Sequence, residues 1–367
     1  MGCITSVRRT VFAIALSLFY LPGQVLAASY DVLELPAVPS EMASKSLIFT
    51  IDKFGERYFA TGHRGHILYS DDGGESWQQA QVPVRSSITG IHFPTPELGW
   101  AVGHEGVILH SSDGGESWVK QYDGIRYGNE GLAYYTKLAE ENPDDPDLPY
   151  YVEEMEFAVS QGADKPLFGV RFHSDKYGHA MGAYGMILRT EDGGQTWEHA
   201  LHNVENDSFY HVFDFAPLPE PGKFFLSGEA GLFMVGDVNE RHARQVHSVP
   251  WEGSFFASTD TASGAIVMGG LRGRMFRTEN AGDSWTVVEK PTTSAVVDLV
   301  RLADDRIVAV SIDGQVMVSA DDGNSFSPMV LSDGPLSSTE RIYTVAEGPD
   351  NTLLIGGPDG IRKLELP

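Results

Sequence analysis

An eight-residue signature, Ser/Thr-x-Asp-x-Gly-x-x-Trp/Phe, recurs five times in this chain and leaves few architectures open. It reads SDDGGESW at 70–77, SSDGGESW at 111–118 and TEDGGQTW at 190–197, with weaker copies TENAGDSW at 278–285 and SADDGNSF at 319–326. The third position holds Asp72, Asp113, Asp192, Asn280 and Asp321, whose side chains can close a tight turn on nearby backbone. The fifth holds Gly74, Gly115, Gly194, Gly282 and Gly323, which supply the freedom a positive φ needs. The eighth, Trp77, Trp118, Trp197, Trp285 and Phe326, is expected to be the first large anchor of the following strand.

Spacing turns the motif into a fold. The copies begin at 70, 111, 190, 278 and 319, so the two long gaps are about twice the short ones. A period near forty residues is that of a β-propeller, one four-stranded blade per repeat. The repeat at 88–121 shows the grammar: strand a (ITGIHF), strand b (GWAVG), a turn, strand c (GVILHS), the signature, then strand d (WVKQ). The b–c turn recurs at 62, 182, 228, 270, 311 and 357, including repeats without the signature. Seven blades are therefore predicted, at 44–80, 88–121, 167–200, 207–250, 254–290, 295–330 and 341–367. The signature resembles the Asp-box, or bacterial neuraminidase repeat, of β-propellers. The last blade ends on strand c, and SYDVLELPAV at 29–38 is predicted to supply its missing strand, hiding an edge.

Residues 1–27 read as a secretory signal peptide: Arg8 and Arg9, an apolar run at 11–21, then Val25 and Ala27 before a cut. Cys3 precedes that run, so it is no lipid acceptor, and its loss with the signal leaves 28–367 without a disulfide. The expected destination is the periplasm, or the thylakoid lumen in a photosynthetic organism. The chain holds 26 basic and 51 acidic residues, a formal charge of −25. Such a balance argues against nucleic acid and anionic lipid as partners.

One insertion, 122–166, interrupts the repeats between blades 2 and 3. It reads as two helices, 129–141 with Asn129 as N-cap and 150–162 with Val152, Met155 and Val159 on one face, around NPDDPDLP. Its eleven acidic and three basic residues accompany Tyr134, Tyr135, Tyr150, Tyr151 and Phe157, the mixture of a partner surface. In a propeller the d–a loops and b–c turns share a face. The helices should therefore overhang turns bearing His63, Arg64, His104, Glu105, Tyr184, Glu229, Arg272, Asp313 and Asp359.

No catalytic, cofactor or metal constellation emerges. A sialidase would need three arginines from different blades and a tyrosine nucleophile, and only Arg64, Arg272 and Tyr184 are placed to serve. His63-x-x-His66 and His199-x-x-His202 lack a third ligand in sequence.

The phrases GWAVGHEGVILHSSDGGESW (99–118) and GHAMGAYGMILRTEDGGQTW (178–197) resemble the photosystem II stability and assembly factor family. That resemblance covers most of the chain and implies a non-enzymatic, seven-bladed propeller binding an exported part of a membrane protein complex. The helical insertion and the scarcity of turn arginines depart from photosynthetic members. Similar chains in non-photosynthetic proteobacteria look like accessories of resistance-nodulation-division exporters. The resemblance thus implies a monomeric exporter accessory without a small-molecule substrate. The alternatives are a photosystem II assembly factor and a sialidase-like glycoside hydrolase.

Overall fold

Short alternating runs separated by Gly, Pro and Asp leave each repeat no choice but to fold on itself as an antiparallel meander. The computed structural model describes residues 31–366, apart from 239, 241, 248, 290, 291 and 332–339. The predicted signal peptide and residues 28–30 lie outside the described residues. Six sheets of four strands and one of three run in chain order, one for each predicted blade. Their innermost strands are Ile48–Phe54, Ile88–His92, Leu167–Phe172, Val212–Pro217, Phe255–Asp260, Val296–Arg301 and Thr344–Glu347. The chain is a seven-bladed β-propeller. Strand b is buried along its length in blades 2, 5, 6 and 7, because both faces of each sheet are covered by neighbouring blades.

The signature forms one repeated lock. In blade 2 the Ser111 hydroxyl donates to Asp113 (2.8 Å) and accepts from Gly115 N–H (2.9 Å), while Ser117 gives both its N–H (3.0 Å) and hydroxyl (2.5 Å) to the same carboxylate. The four bonds close a loop whose glycine seats against strand b of the preceding blade. A Cβ on Gly115 would stand 2.4 Å from the Phe59 ring, and one on Gly323 2.3 Å from Val267.

Burial of the closing aromatic is not uniform, contrary to the expectation of equivalent anchors. Trp118, Trp197 and Phe326 are buried, whereas Trp77 and Trp285 are half-buried. The half-buried pair follow blades 7 and 4, which lack the signature. In two of the three signature-bearing blades whose preceding blade also has it, the lock is reached by parallel bridges, Gln81 to Ser117 and Glu289 to Ser325. Trp118 N–H also donates to Gln81 O (3.0 Å).

The predicted closing strand is corrected by the structure. Residues 31–38 form no strand, and blade 7 keeps three strands among the described residues. The segment runs along blade 1 instead, with Ala37 N–H on Val82 O (2.9 Å), Arg85 N–H on Val32 O (2.7 Å) and Leu33 buried beside Val82, Val84 and Trp118. Two prolines, Pro36 and Pro39, remove the donors that a ladder would require. The ring closes through a shared core of Ile48, Ile51, Tyr58, Ala346 and Leu354, and a Lys363–Glu75 ion pair (2.5 Å).

The insertion is a helical pair, α1 (Gly124–Glu141) and α2 (Leu148–Gln161). The first helix starts five residues before the predicted Asn129 cap. Asp123 caps it, accepting from Arg126 N–H at 3.1 Å. Gly124, Gly128 and Gly131 hide that start from propensity reasoning, yet they let the helix press close. A Cβ on Gly131 would stand 2.4 Å from Met155 Sδ and 2.6 Å from His199 Cε1. On α2 the buried face is Leu148, Met155 and Ala158, with Val152 half-buried, and Val159 is exposed rather than inward.

Candidate functional site on the channel-side face

Each of the first five b–c hairpins ends in a type I′ turn, the turn whose twist suits two-residue hairpins. In blade 1, His66 N–H bonds His63 O (3.2 Å) and the two central residues, Arg64 (φ 57°) and Gly65 (φ 78°), are left-handed. Glu105, Tyr184, Ala230 and Arg272 occupy the Arg64 position in blades 2 to 5, with φ between 53° and 58°. Side chains at this position stand on the rim of the propeller. Arg64, Tyr184 and Arg272 are exposed, as is His104, while His63 and Glu105 are half-buried.

Below the rim, the innermost strands bound the channel. Six of them carry a β-bulge near their start, which leaves one extra residue unpaired: Phe49, Thr89, Phe168, Phe213, Phe256 and Val297. Tyr343 takes the corresponding place in blade 7. Across blades 3 to 5 the bulge side chains meet in turn, Phe168 to Phe213 at 5.3 Å and Phe213 to Phe256 at 5.4 Å between ring centroids. All three are half-buried, forming an aromatic arc at the channel mouth.

The residue after the bulge ties one inner strand to the next. Asp298 accepts from Val345 N–H (2.8 Å), Thr344 Oγ1 from Ile51 N–H (3.0 Å), and Asp214 from the Ser258 hydroxyl. The first two bonds occupy backbone donors on strand edges that face the channel. Deeper in, a cavity of about 590 Å³ is lined by Asp52, Arg171, Asp298 and Ser258, among others. Burial pushes the Asp52 carboxyl up to about 6 and the Asp298 carboxyl up to about 7, and raises Asp214 too. Arg171 partly opposes the first and third of these shifts.

The insertion is bolted to blade 3 by tyrosines and histidines. Tyr122 OH lies 3.3 Å from His199 Nε2, and Tyr135 and Tyr134 hydroxyls lie 3.2 and 3.3 Å from the two ring nitrogens of His202. His199, considered as half of a metal pair, is packed between helix and blade, and burial drops its imidazole to about 4. The other pair, His63 and His66, places its rings 5.4 Å apart at the first b–c turn. Helix α2 reaches the rim through Lys165, which pairs with Glu154 (2.5 Å) and sits 5.9 Å from the Phe157 ring and 5.4 Å from the Tyr184 ring. Tyr184 contacts His211 (4.9 Å), and His211 contacts Phe213 (5.9 Å). A continuous track thus runs from the insertion to the aromatic arc.

Of the residues predicted for partner binding, Tyr184 and Phe157 fall on this track, and both are 53 % exposed. Tyr150 is exposed and stacks on Phe209 (5.2 Å), Tyr134 is at the edge of exposure, and Tyr151 is half-buried. Tyr135 is fully buried and belongs to the core, so it cannot meet a partner. His63, Arg64, His104 and Glu105 lie on the rim of blades 1 and 2, and Arg272 on blade 5. Sequence reasoning missed the bulge residues and the channel carboxylates. A signal existed: the strand starts IF, LF, VF, FF, VV and IY put two apolar residues in succession where alternation demands one.

The family model described as Photosynthesis system II assembly factor YCF48 matches residues 28–128 and 153–355. The gap between these matches falls within the helical insertion. The chain is 25 % identical over 203 residues to the photosystem II assembly lipoprotein Ycf48 of Prochlorococcus marinus, covering 55 % of this chain and 57 % of that one. It is 24 % identical over 187 residues to the protein so named from a Synechococcus species, covering 50 % and 54 %. The chain therefore spans little more than half the length of these relatives. Among solved structures, YCF48 bound to D1 peptide superposes with TM-score 0.62 at 16 % identity, covering 91 % of this chain and 99 % of that one. YCF48 from Cyanidioschyzon merolae gives 0.61 at 17 % identity, covering 90 % and 98 %.

Proposed function

Because the chain belongs to the photosynthesis system II assembly factor YCF48 family, we propose that it is a non-enzymatic assembly factor, exported by residues 1–27. It holds an exposed segment of a membrane protein while a complex is built. The observation that carries this reading is the unbroken channel-side face, where helix α2, the Tyr184 turn and the aromatic arc form one surface. A solved structure bearing the family name is bound to a D1 peptide, which supports peptide capture by this scaffold.

The relatives' names favour photosystem II as the client. No comparison speaks for the resistance-nodulation-division exporter expected from sequence, so that client takes second place. The helical pair, where the family match breaks off, is the element that sets this chain's client choice. Because the described residues of the rim show no clustered arginines with a tyrosine nucleophile, the rim is read as a docking face rather than a catalytic one.

The test is recovery of membrane proteins with the tagged full chain and with a variant whose residues 127–162 are replaced by a Gly-Ser bridge. Photosystem II subunits should accompany the first and not the second. Exporter subunits in their place would transfer the role to the second client. Recovery of neither, or equal recovery by both chains, would overturn the reading.

A further inference from the structure

We propose that the aromatic arc at the channel mouth receives an apolar side chain of a cationic client segment, one in which an aromatic or aliphatic residue lies beside lysine or arginine. This rests on the assembly-factor reading and names the chemistry of the segment held.

Two observations carry it. Phe168, Phe213 and Phe256 are half-buried, whereas the residues at the start of the inner strands, Ile48, Ile88, Leu167, Val212, Phe255 and Val296, are almost wholly buried. Their bulges hold them out of the blade cores, leaving apolar area facing the channel. The second observation is charge. The cavity beyond the arc is lined by Asp52, Asp260, Asp298, Asp305 and Glu347 against Lys53, Arg171 and Arg301. Arg301 pairs with Asp260 (2.8 Å) and Asp305 (3.1 Å), which leaves Asp52, Asp298 and Glu347 against Lys53 and Arg171, and Asp214 directly follows Phe213. The approach is acidic too, because the insertion carries eleven acidic and three basic residues. The excess of carboxylates over cations favours an incoming cation over an anionic segment. An apolar anchor filling a pocket, with charge at its border, is the arrangement that concentrates binding energy at few residues.

The experiment measures anisotropy of labelled nine-residue peptides with the full chain: one alternating lysine and phenylalanine, one with glutamate for lysine, one with alanine for phenylalanine. The first should bind at least tenfold more tightly than either of the others. Phe213→Ala with Phe256→Ala should abolish that advantage. Val297→Trp, which fills the mouth while keeping the arc, should do so with the chain still folded by circular dichroism. Equal binding of the glutamate or alanine peptide, or full binding by the Val297→Trp chain, would overturn the proposal. Client recovery separates the two levels. If the arc variants keep the client while the 127–162 replacement loses it, this inference alone fails. If neither variant loses it, the assembly-factor reading fails as well.

Discussion

Replacing Asp113 by Ala and by Asn should give very different costs, and the structure contains the control. Asp113 accepts three bonds, from the Ser111 hydroxyl, the Ser117 N–H and the Ser117 hydroxyl. A net hydrogen bond is worth roughly 1 kcal/mol, and water can replace part of each at this exposed loop. Alanine should therefore cost about 2 kcal/mol. Blade 5 already uses Asn280 in the same place. There Oδ1 accepts from Thr278 Oγ1 (3.1 Å) and Ser284 N–H (2.9 Å), and the amide donates to Ser284 Oγ (2.9 Å). The serine hydroxyl simply changes from donor to acceptor, so Asp113→Asn should cost under about 0.5 kcal/mol. Urea midpoints at constant slope read both values. Acidification adds a second readout. Burial alone would lift the Asp113 carboxyl, but the bonds from Ser117 and Ser111 outweigh it and hold it below its ordinary value. A depressed folded-state value means stability that is present above about pH 4 and lost as pH falls further. Wild type should thus lose its advantage over the Asn form below pH 4. Equal destabilisation by Ala and Asn, or a gap that does not change with pH, would refute the lock as described.

Trp118→Ala should cost about 3–5 kcal/mol and Trp77→Ala about half as much, because only the first indole is wholly buried; parallel urea titrations compare them. Asp52→Asn should leave acid stability unchanged and help at higher pH. The raised folded value near 6 means that the acid's contribution is full below about pH 4 and lost as pH rises through 6. Melting temperatures at pH 4.5 and 8 should therefore diverge only at the higher pH.

The blades were legible because the signature is local. Asp113, Gly115 and Trp118 must stand at fixed spacing for one carboxylate to close one loop, and the gap between copies then counts strands. Closure of the ring was not legible. Val32 to Val38 look like a strand by hydropathy, and only the competing site under Leu33 beside Trp118 decides where they lie. The start of α1 was hidden by Gly124 and Gly128, which lower helix propensity; Gly128 is there because the second helix packs almost on the backbone, and Gly124 because Ala163 and the Glu105 carbonyl do. The candidate site was half legible. Turn residues such as Tyr184 follow from the hairpin pattern. The channel residues depend on a bulge, which shifts register by one and sends a whole column of side chains elsewhere.

The type I′ turns have an evolutionary consequence. The residue at the Arg64 position is held left-handed by the hairpin, whatever its side chain: arginine, glutamate, tyrosine and alanine all occupy it with nearly the same φ. The backbone strain there is a fixed overhead of the scaffold, so exchanging one such residue for another alters the surface without disturbing the blade beneath. Under the proposed function, five neighbouring blades thus offer five positions where single-codon changes can retune which client is retained. On that reading specificity can drift along this rim while the fold stays constant, so related chains of one architecture can come to serve different membrane complexes.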